Sequence, residues 1–388
     1  MSFEKHIDQE MMVALRRHFH ENPELAYNEF ETADKIVAEL TKIGVDEVIR
    51  PTETSVVAVI KGGKAGKVVA LRADIDALPI TEETPVSYAS KKPGAMHACG
   101  HDAHTASLIG AAKALVAVKA EIPGTVKLIF QHAEELVPGG AQSIIDTGVL
   151  NDVNMFFATH VFIGGPVGVV GSRVGPILAA NDVYNITVKG RGGHAASPHN
   201  SIDSIVVGSE IVVNLNHIVS RNIDPLSNVV VTCGRFLAGN VVNIIPDTAQ
   251  LGLSVRTNTH EEREYVGQRI REVVEGICKA HGADFELEHK PGYAATINDA
   301  KAVDIAKRTA EKFSSLIKYE ETPMRMGSED FSAYSKIAPA AMLGIMGGGP
   351  EQGYEYYGHH PKYDLDEGCL KIAAIMYVGC ALEALATL

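Results

Sequence analysis

Cysteine is scarce in this chain. Its five residues, Cys99, Cys233, Cys278, Cys369 and Cys380, are odd in number and scattered over 388 positions. That pattern does not suit a disulfide framework and points to a reducing cytoplasm. Positive charge is also short: 35 Lys and Arg against 48 Asp and Glu leave a net charge of −13. Such a balance argues against nucleic acid or an anionic membrane surface as a partner, and an anionic substrate would have to be met by a few locally placed donors. No run of about 18 apolar residues is read, so no membrane-spanning helix is expected. The N-terminal MSFEKHIDQEMMVALRRHFHENPEL lacks the apolar core of a signal peptide. A cytoplasmic globular protein is the expectation.

The chain has enough length for more than one hydrophobic core. Short apolar runs alternate with amphipathic helical patterns, which predicts an α/β fold with a mixed, mostly parallel sheet. Strands are expected at SVVAVI (55–60), KVVALRA (67–73), TVKLIFQ (125–131) and NMFFATH (154–160). Between the second and third, AHTASLIGAAKALVAVKA (103–120) places Leu108, Ala112, Leu115 and Val118 in one helical stripe. From 181 to 295 the pattern changes to β-α-β-β-α, with strands at 183–190, 228–236 and 248–257 and helices at 201–220 and 261–281. That order suits a small inserted α+β domain on an antiparallel sheet. The expected domains are therefore 1–180 and 296–388, together catalytic, and the insert 181–295.

Reactive side chains gather where the predicted strands end. In open parallel sheets, ligands sit beyond the carboxyl ends of the strands. The strand 67–73 runs into Asp74 and Asp76, 125–131 into QHAEE with Glu134 and Glu135, and 154–160 ends on His160. HACGHDAH (97–104) opens the following helix. Taken singly, each of these residues reads as a solvated acid or a satisfied histidine. Converging together, they suit a divalent transition metal such as Zn²⁺ or Mn²⁺. Adjacent Glu134 and Glu135 can face different ways, one toward metal and the other as a base.

The motifs HACGHDAH, QHAEE, ATHV, GRGGHAASPH, NIIP, GSEDF and HHPKYDLDE, in this order, resemble the hippurate hydrolase and auxin-conjugate amidohydrolase branch of the aminoacylase and acetylornithine-deacetylase superfamily. The resemblance spans essentially the whole chain. It implies a catalytic domain of zinc-peptidase type with a ferredoxin-like inserted domain for dimerisation. It implies two divalent metals, Mn²⁺ or Zn²⁺ with Co²⁺ and Ni²⁺ also admissible, held by Cys99, His101, Glu135, His160 and His359. Glu134 would be the general base and Asp74 a residue that orients a ligand. His194 would serve the oxyanion from a neighbouring subunit, with Asn243 and Arg256 as candidates for the substrate carboxylate. The substrate implied is an N-acyl amino acid and the assembly a homodimer.

Some assignments stay open at this level. Arg256 either binds substrate or pairs locally on its strand, and Glu329 within GSED either lines the pocket or pairs with a base. Arg72 stands where distant relatives carry a metal-binding His. His132 replaces the Pro usual in this branch, either as an inert loop residue or as one that adjusts the pocket, and His360 takes a variable position. Asp102 and His104 are expected to support the helix that follows. Rival readings are a dipeptidase or carboxypeptidase on the same metals, a thiol hydrolase using Cys99, and a binding protein that has lost catalysis.

Overall fold

A computed structural model describes residues 3–388. The chain divides into two units, Met1–Ile177 with Ile297–Pro323 and Asp330–Leu388, and Leu178–Thr296 with Met324–Glu329.

The first unit is built on an eight-stranded sheet. Its order is Glu47–Ile49, Val56–Lys61, Pro123–Gln131, Lys64–Asp74, Met155–Phe162, Ala340–Met346, Val169–Ser172, Lys318–Glu321. Lys64–Asp74 runs parallel to both Pro123–Gln131 and Met155–Phe162, and Ala340–Met346 runs parallel to Met155–Phe162. Three pairings toward the margins are antiparallel. The sheet is thus mixed with a parallel centre, and burial on both faces explains the near-continuous apolar runs of 56–60 and 126–130.

The helix His101–Ala117 packs between Gln9–Glu21, Cys369–Thr387 and the strand Lys64–Asp74. It is buried on nearly every side rather than along one stripe. Small residues such as Ala103, Ala106, Gly110 and Ala111 permit that close approach. Gly110 shows how close: a Cβ there would lie 2.2 Å from the Met12 sulfur.

Cys369–Thr387 corrects the expectation about apolar runs. By length and composition alone it is apolar enough to cross a membrane, with a mean hydropathy of 1.7, but 78% of that stretch is buried inside the unit. It is hydrophobic all round because it is a core helix.

The second unit is a four-stranded antiparallel sheet in the order Val230–Ala238, Thr248–Thr257, Ala180–Lys189, Asp284–Pro291. With the helices Ser204–His217 and His260–His281 this is the β-α-β-β-α-β ferredoxin-like arrangement. Tyr184, Ile186 and Val188 point inward on alternate positions, against Val266, Ile270, Val274 and Cys278 at helical spacing. Two features depart from expectation. The strand Asp284–Pro291 was not read, because its sequence DFELEHKP is mostly exposed and charged, as a sheet edge tolerates. Residues 324–329 belong to this unit: the Ala179 N–H donates to the Gly327 carbonyl at 2.8 Å, and Leu178 bridges Arg325.

Cys278, Cys369 and Cys380 are buried as small hydrophobes. Cys233 is only half-buried because it lies on the edge strand Val230–Ala238.

Candidate metal centre and catalytic site

Four backbone devices present the donors. Gly100 precedes the helix His101–Ala117 with φ +88°, and a Cβ there would also meet the Tyr363 hydroxyl at 2.8 Å. Glycine is therefore required between Cys99 and His101. After the strand Pro123–Gln131, Ala133 adopts a left-handed φ of 51°, which turns the chain so that Glu134 and Glu135 follow. That turn is held from two sides: Glu29 Oε1 accepts the Ala133 N–H at 2.7 Å and Asp76 Oδ2 accepts the Glu135 N–H at 2.9 Å. His160 lies within Met155–Phe162, which runs two residues further than expected. His359 has φ 69°, and its N–H donates to the Ala98 carbonyl at 2.7 Å.

The side chains converge. Cys99, His101 and His160 form one group of donor atoms within 4.8 Å of one another; Cys99, Glu135 and His359 form a second, and His101, Glu134 and Glu135 a third. Cys99 Sγ lies 3.5 Å from His160 Nε2, and Glu135 Oε1 lies 3.3 Å from His359 Nε2 and 3.9 Å from His101 Nε2. All five residues assigned as ligands and the assigned base thus meet in one place.

The donor set fits divalent metal. His101 binds Asp76 through Nδ1, and its Nε2 is buried without a hydrogen-bond partner. His160 Nδ1 lies 2.8 Å from the Val161 carbonyl, so that nitrogen carries the proton and Nε2 keeps its lone pair toward Cys99. Glu135 Oε1 is likewise buried and faces the His359 ring nitrogen. Neutral imidazoles, a thiolate and a carboxylate are the ligands such metals take. The electrostatics agree. Hydrogen bonds to Cys99 and Glu135 push the His359 imidazole up to about 10, against the cost of burial. Burial pushes the Cys99 thiol up, and Glu135 adds to this. The protein places negative charge here that asks for a cation.

Around this set stands a buried second layer. Asp76, not Asp74, grips the His101 ring at Nδ1. Asp74 Oδ1 instead lies 2.6 Å from His104 Nδ1, and His104 Nε2 accepts the Val161 N–H at 2.8 Å. His104 thereby ties two strands together, in addition to its helix. Burial opposes the charge on Asp74, yet His101, His104 and Arg72 hold it well below the usual carboxylate range. Arg72 is a buried structural cation that donates to Asp74 at 2.7 Å and Asp330 at 2.9 Å. Asp102, in the first turn of its helix, accepts the Ala103 N–H at 2.9 Å and also meets Arg16 at 2.9 Å and His20 at 2.8 Å.

Asp76, Glu29, Arg16 and His20 escaped the sequence reading as supports. Only Asp76 had a local signal, its place just beyond a strand end.

The residues assigned to substrate lie in the second unit. His194 and Asn243 are exposed neighbours: His194 pairs with Ile244 across a two-residue ladder, and the Ala195 N–H donates to the Asn243 carbonyl at 3.1 Å. Arg256 is half-buried at the other end of Thr248–Thr257, where it pairs with Asn181 and donates to Ser328 Oγ at 3.1 Å. Eight residues of strand set it ~27 Å along from Thr248. Glu329 is buried in this unit, its carbonyl accepting from Thr296 Oγ1 at 3.4 Å.

Comparison with known proteins agrees with this construction. The model of peptidase family M20/M25/M40 matches residues 70–383. An N-acyl-L-amino acid amidohydrolase of Geobacillus stearothermophilus is 44% identical over 287 residues, 74% of this chain and 78% of that protein. Thermostable carboxypeptidase 2 of Saccharolobus solfataricus is 37% identical over 378 residues, 97% of this chain and 95% of that one. Among solved structures, the Bacillus subtilis YXEP protein, a dinuclear metal binding peptidase from the M20 family, superimposes with a TM-score of 0.87 at 35% identity, covering 98% of this chain and 99% of that chain. Fold, donor set and kinship converge, and the chain belongs to the M20 peptidase family of metal-dependent hydrolases.

Proposed function

We propose that this protein hydrolyses the amide bond of N-acyl amino acids, releasing a carboxylate and a free amino acid. The observation that carries this is the Glu134–Glu135 pair, whose carboxylates share a 4.8 Å neighbourhood with the inward ring nitrogen of His101. Glu135 also groups with Cys99 and His359 as a donor. Glu134, 6% exposed, is the base that takes a proton from the attacking water and returns it to the leaving amine. Divalent metal, when bound, supplies a Lewis acid that polarises the scissile carbonyl and acidifies water. Mn²⁺ or Zn²⁺ is proposed, with Co²⁺ and Ni²⁺ admissible by the same ligand chemistry. Asn243 and Arg256 are the proposed donors for the substrate carboxylate, Arg256 through its planar fork, and His194 is proposed for the oxyanion.

A homodimer through the inserted unit is part of the proposal. Val230–Ala238 is an edge strand, and Val206, Val213, Leu237 and Val242 stand exposed. An edge carrying apolar side chains is a site for pairing with a second chain. A cytoplasmic location is proposed from the free, scattered cysteines.

Similarity to a carboxypeptidase favours a second reading, peptide hydrolysis at the same site. The test is amino acid release from a panel of N-acyl amino acids and dipeptides by the Mn²⁺- or Zn²⁺-loaded protein, with Glu134→Gln as control. Turnover of acyl amino acids that the control loses supports the proposal. Turnover of dipeptides alone moves the protein to the second reading, and wild-type rates in Glu134→Gln remove the base assignment.

A further inference from the structure

A cavity of about 510 Å³ opens beside the turn that carries Glu134 and Glu135, and Tyr27, Glu53, Thr54, His132, Pro138 and Asp146 are among its walls. Thr54 and His132 are each 3% exposed, and His132 Nδ1 is buried without a hydrogen-bond partner. Burial holds the His132 imidazole below its ordinary range, so it is neutral and keeps a lone pair for an N–H donor. Tyr27 stands edge-on to the His132 ring with centroids 5.5 Å apart, its hydroxyl donating to the Gly139 carbonyl at 3.3 Å. Gly140 preserves this packing, since a Cβ there would lie 2.0 Å from the His132 carbonyl oxygen and 2.9 Å from Nδ1.

The charge at the mouth is of one sign. Glu53 and Asp146 are exposed, and no Lys or Arg lines the cavity. Arg50, the nearest guanidinium in sequence, is taken up by Asp34 and the Glu53 carbonyl. Asp146 accepts only an uncharged donor, the Gln142 amide, at 2.8 Å. An anion entering here meets carboxylates and no base. A cation meets two carboxylates, the Tyr27 ring and the His132 imidazole, while Pro138 and Thr54 line the wall beside an alkyl stem.

We infer that this cavity binds an organic cation, an ammonium or guanidinium group on a short apolar stem, beside the catalytic turn. The cation can be the basic side chain of the substrate's amino acid or a free cationic small molecule. The first source rests on the amidohydrolase proposal and the second does not.

The probe is n-butylguanidinium, titrated calorimetrically into the full-length protein and compared with its uncharged isostere, n-butylurea. Saturable binding of the guanidinium with preference over the urea is expected. Two exposed carboxylates acting on one cation predict about tenfold weaker binding in the isosteric double variant Glu53→Gln/Asp146→Asn. Failure of butylguanidinium to saturate, or to be preferred over the urea, overturns the inference with wild-type protein alone. Equal binding by the double variant overturns the assigned cavity.

The source follows from kcat/KM on N-acetyl-lysine and N-acetyl-norleucine. A preference for the lysine derivative that the double variant loses assigns the cavity to the substrate's side chain. Binding of the probe without that preference assigns it to a separate cation. Binding of the probe by a protein that hydrolyses neither compound leaves the cation site standing and sinks the proposed activity.

Discussion

Asp76 grips one ring nitrogen of His101 twice: Nδ1 lies 2.9 Å from its carbonyl oxygen and 3.2 Å from Oδ1 of its carboxylate. The other carboxylate oxygen accepts the Glu135 N–H at 2.9 Å. One side chain therefore orients two donors of the site. Loss of such a support costs about 10- to 100-fold in metal affinity or activity. Asp76→Ala is expected to show that loss in a Zn²⁺ titration while keeping its secondary structure, with Asp76→Asn less affected. Wild-type affinity in Asp76→Ala would remove the orienting role.

Arg16 and Asp102 form an ion pair in which neither side chain reaches solvent. Arg16 also meets Asp364 at 3.0 Å and Glu367 at 3.3 Å. Arg16→Met leaves Asp102 buried with His20 as its one hydrogen-bonded charged partner, and breaking a buried pair this way costs about 3–5 kcal/mol. Urea unfolding at neutral pH checks it. A cost near zero would mean that His20 alone neutralises Asp102.

Burial, with Asp76 nearby, pushes the Glu29 carboxyl up to about 7 from its ordinary 4.5. The folded protein then holds a proton that the unfolded chain gives up between those pH values. The contribution of this group to stability is complete below pH 4.5 and is lost as pH rises through about 7. Glu29→Gln keeps an oxygen for the Ala133 N–H and has no proton to lose. It is expected to be more stable than wild type at pH 8, by on the order of 2–3 kcal/mol at most, with the difference vanishing near pH 5. Thermal melts across that range decide the matter, and a gap that does not change with pH would refute the assignment.

If the exposed apolar residues of the inserted unit are an interface, Val213→Asp and Val242→Asp should each weaken it. Sedimentation is expected to show a shift from dimer toward monomer with the fold unchanged. A wild-type protein that sediments as a monomer would end the dimer proposal outright.

Much of the centre was legible in the sequence because its chemistry is local. Cys99 and His101 straddle one glycine at the start of a helix, Glu134 and Glu135 follow a strand, and these spacings constrain where donors can point. The central strands read clearly, since burial on both faces leaves near-continuous apolar runs. The edge strand Asp284–Pro291 does not, because only Phe285 and Leu287 face inward and the rest of it is exposed. Cys369–Thr387 shows the limit of composition: the same apolar helix suits a bilayer or a core, and only packing tells which.

What the amino-acid order determined by itself was the gathering of candidate donors at strand ends, the motifs whose resemblance implies which of them hold metal, and the alternation of elements. The tertiary structure decided which buried groups serve those donors. Nothing next to Arg16 in the sequence marks it as buried, and its partner Asp102 lies 86 positions later. The resemblance assigned the orienting role to Asp74, and the hydrogen bond to His101 belongs to Asp76. A charge is stable in the interior only beside its partner, and partners brought together by long-range folding leave no trace in the residues next to them.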